Sequence, residues 1–190
     1  LSNAIDEARE GFGNKIEIIL GKDNDITVCD HGRGIPVDYN VNEEKYNWEL
    51  LFCEMYAGGK YNNNGGDNYE FSLGLNGLGL CATQYSSEFM DVIIFRDGYK
   101  YELKFEKGEN VGGLKKEKTN IKNTGSTIHW KPDREVFTDI DIPVEYFKDI
   151  LKRQCIVNAG LTFELTDENT DEKYTYCYEN GIRDYINEIS

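Results

Sequence analysis

The sequence predicts an α+β fold, a largely antiparallel sheet covered by helices on one face. Three observations predict it. Apolar residues alternate at strand period in paired segments separated by turn residues. Helical periods interrupt those pairs instead of alternating regularly with them, as a parallel-sheet protein would require. The 190 residues contain neither an internal repeat nor a linker, so they read as one domain, residues 1–190.

The elements follow in order. "LSNAIDEA" (1–8) has the pattern of an amphipathic helix, with Leu1, Ile5 and Ala8 placed toward a core. "KIEIIL" (15–20) and "DITVCD" (25–30) alternate around "GKDND" and read as a hairpin. "DHGRGIP" (30–36) is a turn, because two Gly and a Pro stop the strand. "EKYNWELLFCEMYAGG" (44–59) reads as a helix with Trp48, Leu51, Phe52 and Met55 on one face and Gly58–Gly59 at its end. Residues 58–79 hold seven Gly and five Asn and read as a long functional loop, a lid, leading into a helix near 78–89. "FMDVIIFRDG" and "YKYELKFEKG" (89–108) pair around Asp97–Gly98. "GENVGGLKKEK" reads as a polar connection, and "GSTIHWKP" (125–132) as a strand closed by Pro132. A helix runs from Pro143 toward Gly160, a hairpin spans 161–168 and 173–179, and a short helix occupies 180–190.

Composition narrows the function. An aromatic fraction of 13% is that of a folded protein. A net charge of −14 argues against this stretch gripping a phosphate backbone by itself. No apolar run is long enough to span a bilayer. The five cysteines form no CxxC pair, which argues against a zinc ribbon or disulfide framework and fits a reducing cytosol, hence a cytoplasmic protein.

Three polar features call for explanation. Asn3 and Glu7 share a helix face at i, i+4, with Asp6 beside it; a solvated face is the commoner case, and oxygen ligands for magnesium the sharper one. Asp30 ends an apolar strand and either caps the turn through backbone N–H groups or serves as an acceptor at the floor of a cleft. Gly74, Gly77 and Gly79 lie ahead of a helix, where free backbone N–H groups suit phosphate. No GK[ST] follows, so this is not a Walker A loop.

The order of these motifs is more specific than any one of them. An Asn-bearing helix, D-x-G-x-G-[IV]-P, a GGK-containing loop, G-x-x-G-x-G and a late G-[ST] strand together resemble the GHKL ATPases, which include type II topoisomerases, Hsp90 chaperones, MutL repair proteins and sensor histidine kinases. "NAIDEA" (3–8), "DHGRGIP" (30–36), "YAGGKY" (56–61), "GLNGLG" (74–79) and "NAGLTFEL" (158–165) look like the type II topoisomerases in particular, the ATPase subunits of bacterial gyrase and topoisomerase IV. AGGK after a helix argues against the chaperone or repair branch. A non-catalytic nucleotide-binding module is the remaining alternative.

The resemblance implies a Bergerat fold, a two-layer sandwich with a mixed, mostly antiparallel sheet, and it implies ATP and Mg²⁺ as ligands. On it, Asn3 ligates magnesium and Asp30 accepts from the adenine amino group. Ser126 stands for a Thr that supports adenine through a shared water. Glu7 pairs with Arg33, which flanks the base, and Gly34, Ile35 and Pro36 line the pocket for base and ATP-competitive inhibitors. Lys60 sits on the lid. Gly74, Leu75, Asn76, Gly77, Leu78 and Gly79 wrap the phosphates. Leu73 and Asn76 depart from the bacterial GGLHGVG pattern. The family's general-base Glu lies four residues before the Asn, ahead of Leu1, so the 190 residues are expected to bind nucleotide with little turnover. The full protein is expected to dimerise on ATP, meet DNA through other domains and work with a gyrase A-type partner, the fragment itself being a monomer. Gyrase and topoisomerase IV are not separable on these residues.

Overall fold

A computed structural model describes residues 1–55 and 78–190. Its helices are α1 (Ser2–Arg9), α2 (Asn47–Cys53), α3 (Gly79–Tyr85), α4 (Val144–Val157) and α5 (Ile182–Ile189). Its strands are β1 (Lys15–Leu20), β2 (Ile26–Asp30), β3 (Tyr39–Asn40), β4 (Lys45–Tyr46), β5 (Ser87–Arg96), β6 (Tyr99–Glu106), β7 (Glu109–Asn110), β8 (Lys115–Lys118), β9 (Gly125–Pro132), β10 (Thr162–Asp167) and β11 (Glu172–Tyr176).

Nine strands form one sheet in the order β11-β10-β1-β2-β9-β5-β6-β7, with β8 also on β6. Every pairing is antiparallel except β1 with β10, so the sheet is mixed and mostly antiparallel. The hairpins read from the sequence are present. The β5–β6 turn has Asp97 and Gly98 both at positive φ, the conformation that a two-residue type I′ turn needs.

Strand alternation sorts side chains between the two faces. One row runs Leu165, Ile18, Val28, Ile128, Val92, Leu103 across six strands through paired positions. Helices cover this face. Ala4 and Ile5 of α1 and Leu151 and Cys155 of α4 pack with β1, β2 and β10 into one core. Leu50, Leu51 and Phe52 of α2 pack with Ile35, Val37, β5 and β6 into another. Trp130 of β9 touches both. The opposite face carries Lys15, Glu17, Thr27, Cys29, Thr127 and His129, which are half-buried or exposed. The arrangement is thus α+β in two layers.

Three details differ from the sequence reading. The helix expected over 44–59 is only Asn47–Cys53. Residues 45–46 pair with 39–40, and the Glu49 carboxylate accepts the Tyr46 N–H at 2.9 Å, which fixes the helix start at Asn47. Glu54 is extended, so Met55 falls outside the helix and is exposed, while Leu50 takes the core position. The polar connection after 108 contains β7 and β8. All four residues of β8, "KKEK", are exposed at a sheet edge, where charge guards against further pairing and no apolar alternation exists to reveal a strand. The lid residues 58–77 lie outside the described residues, and 79 already belongs to α3. Among the described residues no helix is long and apolar enough to cross a membrane.

Candidate functional site

The two cores meet over β2 and β9, and there the sheet is left without a helix. A cleft of about 80 Å³ opens at this point. Its floor is Val28 and Asp30 of β2, Met90 of β5, and Ser126, Ile128 and Trp130 of β9. Leu1, Asn3 and Ala4 of the α1 end form one wall, and Leu80 and Thr83 of α3 the other. The result is a largely apolar slot with two polar floor groups, Asp30 and Ser126, and two polar wall groups, Asn3 and Thr83.

Asp30 continues a row of core side chains. Its register partner on β1 is Ile16, which faces Phe163 on β10. It is 8% exposed, and burial raises its pKa above the usual carboxylate range, an effect the backbone N–H groups of Gly32 and Ser126 partly offset. Both N–H groups bond Oδ1, at 3.0 and 3.3 Å. Among the described residues nothing bonds Oδ2. The turn-capping reading of Asp30 holds at Oδ1, and the carboxylate stands on the floor of the cleft.

Ser126 is 3% exposed, and its Oγ accepts the Ile35 N–H at 2.9 Å. The hydroxyl hydrogen stays available for a second partner. Gly125, one residue before, has φ +149°, and a Cβ there would lie 2.2 Å from the Asp30 carbonyl oxygen. The G-S pair thus allows β9 to approach β2 closely enough for the Ser126 N–H to reach Asp30. Gly125→Ala is expected to separate the two strands and cost about 2–4 kcal/mol of stability, as other severe backbone clashes do, read as a lower urea midpoint.

Glu7 is where spacing misled. The i, i+4 face with Asn3 reads as solvated, yet Glu7 is 2% exposed. Its carboxylate grips Arg33 three times: Oε1 accepts the Arg33 backbone N–H at 2.9 Å and Nε at 2.8 Å, and Oε2 accepts Nη2 at 3.0 Å. The Arg33 guanidinium lies 3.8 Å from the centroid of the Phe12 ring, so the pair is sandwiched. Gly32 makes room, since a Cβ there would sit 2.3 Å from Glu7 Cγ. Asn3, one turn earlier, stands at the cleft, and among the described residues its amide has no partner.

The remaining expected residues divide. Gly34, Ile35 and Pro36 are buried, but they support the cleft from behind instead of lining it. Gly34 has φ +86° and packs against Phe95, and its carbonyl accepts Arg96 Nη1 at 2.9 Å. Leu78 is the N-cap and Gly79 the first residue of α3, and among the described residues no side chain caps that end. Lys60, Gly74, Leu75, Asn76 and Gly77 lie outside the described residues. The sequence reading did not name Val28, Met90, Ile128 and Trp130. Strand parity with Asp30 and Ser126 places Val28, Ile128 and Trp130 on the same face, which is the signal that could have found them.

Comparison with known proteins finds relatives along nearly the whole chain. No family model matches the chain. It is 34% identical over 189 residues to the B subunit of DNA topoisomerase 4 from Salmonella typhimurium, covering 99% of this chain and 30% of that protein. It is 33% identical over 194 residues to the B subunit of DNA gyrase from Spiroplasma citri, again over 30% of the relative. Among solved structures, the topoisomerase IV ATP-binding domain of Francisella tularensis, in complex with a small-molecule inhibitor, aligns with a TM-score of 0.82 at 30% identity, over 98% of this chain and 49% of that one. The 43K ATPase domain of Thermus thermophilus gyrase B, bound to an aminocoumarin, gives 0.82 at 26% identity over 98% and 46%. The chain spans under a third of the curated relatives it matches. In sequence and in fold, along nearly its whole length, this chain is a homologue of the B subunits of topoisomerase IV and gyrase, matching a stretch equal to 30% of their length.

Proposed function

We propose that residues 1–190 form one ATP-binding unit from the ATPase subunit of a type II topoisomerase, an ATP-driven isomerase of DNA. The observation that carries this reading is the Asp30 carboxylate, held by Oδ1 and, among the described residues, unbonded at Oδ2 on the floor of an apolar slot. A flat heteroaromatic ring carrying an exocyclic amine suits such a slot. The ring replaces water on Val28, Met90 and Ile128, and the amine donates to Oδ2. Ser126 Oγ is placed to share a water with the same ring edge. The same features suit ATP-competitive inhibitors that keep the ring and its donor.

Asn3 fits a role toward Mg²⁺. Magnesium keeps several waters and takes few protein oxygens beside phosphate, and the Asn3 amide oxygen at the rim, without a partner among the described residues, would supply one. Bound there, the ion would offset phosphate charge beside a chain whose net charge is −14. The start of α3, Leu78 and Gly79, which no side chain caps among the described residues, would favour phosphate on the other side of the cleft. Arg33, locked by Glu7, holds the turn that carries Asp30 and Gly32 in one geometry. In the full protein, ATP would favour dimerisation. DNA and the gyrase A-type partner would be met by other parts of the protein, in the cytoplasm.

Calorimetry with a non-hydrolysable ATP analogue tests the reading. Binding is expected to tighten when Mg²⁺ is added, and Asn3→Ala is expected to abolish most of that increment while leaving magnesium-free binding within about twofold. Absence of analogue binding to the wild-type chain would overturn the proposal.

A further inference from the structure

The strand that presents Asp30 to the cleft presents its neighbours to the other side. Cys29 faces the open sheet surface, directly across the β1–β2 ladder from Glu17. His31, just past the strand end, places Nε2 2.8 Å from Glu17 Oε2. The Cys29 sulfur, a Glu17 oxygen and a His31 nitrogen all lie within 4.8 Å of one another. No step proposed for the cleft uses any of the three.

We propose that Glu17, Cys29 and His31 form a site for a zinc-class divalent metal ion on the outer face of the sheet. A thiolate, an imidazole and a carboxylate form a mixed donor set that suits Zn²⁺ or Co²⁺ and is wrong for Mg²⁺ or Ca²⁺. In a tetrahedral centre with bonds of roughly 2.0–2.3 Å, ligand atoms stand about 3.3–3.7 Å apart. The three groups therefore need side-chain rotations of about 1 Å and no backbone change. His31 and Glu17 are free to make them, being 46% and 32% exposed at the side chain. Three protein ligands leave the fourth position to water.

Burial and the Glu17 and Asp30 carboxylates push the Cys29 thiol up, a cost the metal has to offset, and two other neighbours help. Thr127 Oγ1 donates to the Cys29 sulfur at 3.3 Å, a bond that strengthens toward a thiolate and orients it. The competing cation is Lys15, 3.2 Å from Glu17, but Lys15 also lies 2.7 Å from Glu164 and keeps that partner when Glu17 turns to the metal. Charges then balance: the ion against Cys29 thiolate and Glu17, and Lys15 against Glu164. Binding replaces the sulfur–hydrogen bond of Cys29 by a sulfur–metal bond and releases the proton to solvent, with no redox change.

Cobalt titration of the reduced 190-residue chain tests the site. One Co²⁺ per chain is expected, with a near-ultraviolet thiolate-to-cobalt charge-transfer band that Zn²⁺ bleaches. Cys29→Ser should remove the band. His31→Ala, which alters an exposed side chain and should leave the melting temperature unchanged, should weaken cobalt binding at least tenfold. Cys177→Ser, at the exposed cysteine, should change nothing. The proposal is overturned by a titration without the band, by a band that persists in Cys29→Ser or vanishes in Cys177→Ser, or by wild-type affinity in His31→Ala.

Discussion

Asp30→Asn is expected to weaken binding of an ATP analogue by about 10- to 150-fold while leaving the protein at least as stable as the wild type. Asn keeps the Oδ1 acceptor that Gly32 and Ser126 use, so the turn survives. It replaces Oδ2 by an NH₂ group, which sets donor against donor when an exocyclic amine arrives. Losing a hydrogen bond to a charged acceptor costs about 1.5–3 kcal/mol, which gives the stated range. Stability moves the other way. Burial raises the Asp30 pKa, so the charged carboxylate is disfavoured in the folded state. A folded protein that holds its proton more tightly than the unfolded chain gains stability from that group at low pH and loses it as pH rises through the folded pKa. At neutral pH Asp30 therefore costs folding energy, and Asn removes that cost. Binding by the wild type follows the carboxylate, so it should decline as pH falls, beginning above the ordinary aspartate range, whereas the variant should show no such decline. Calorimetry across pH, paired with thermal melts, measures both. Equal affinities for the two proteins would sink the assignment of Asp30 to the ring amine.

Glu7→Ala is expected to destabilise the fold by about 3–5 kcal/mol, the usual cost of removing one partner of a buried ion pair. The loss arises at Arg33, whose backbone N–H, Nε and Nη2 would lose the three bonds they make to Glu7. Replacing both members should be milder. Glu7→Ala with Arg33→Met removes the stranded charge, and the double variant should recover part of the loss in a urea-denaturation cycle. If Glu7→Ala costs less than about 1 kcal/mol, the pair is not what fixes the turn.

Much of the architecture was legible because alternation reports burial. "KIEIIL", "DITVCD" and "TFELTD" each bury every second residue as read. "KKEK" carried no such signal because it has no buried face. The overlong helix at 44–59 arose because Met55 fits the helical stripe, while the hairpin that sets the start at Asn47 depends on pairing between 39–40 and 45–46. In the site, Asp30 and Ser126 were legible through motif order. The Glu7–Arg33 pair was legible only through the resemblance, because the partner lies 26 residues away and the local spacing of Glu7 reads as a solvated face. The lining by Val28, Ile128 and Trp130 was half legible. Parity gives their face, but a single sequence does not show which part of an apolar face is left without a helix.

The seam between the two cores has a further consequence. A protein whose interior is divided has a line along which its halves can breathe separately, joined mainly by the β2–β9 ladder and the Trp130 side chain. A flat ring seated at that line would serve as the missing piece of interior, touching Val28 of one half and Met90 of the other. Occupancy would then act on cooperativity as well as on stability. The ligand would fasten two partly independent folding units into one, and the same contacts that recognise it would transmit its presence from the α1 side of the molecule to the α3 side.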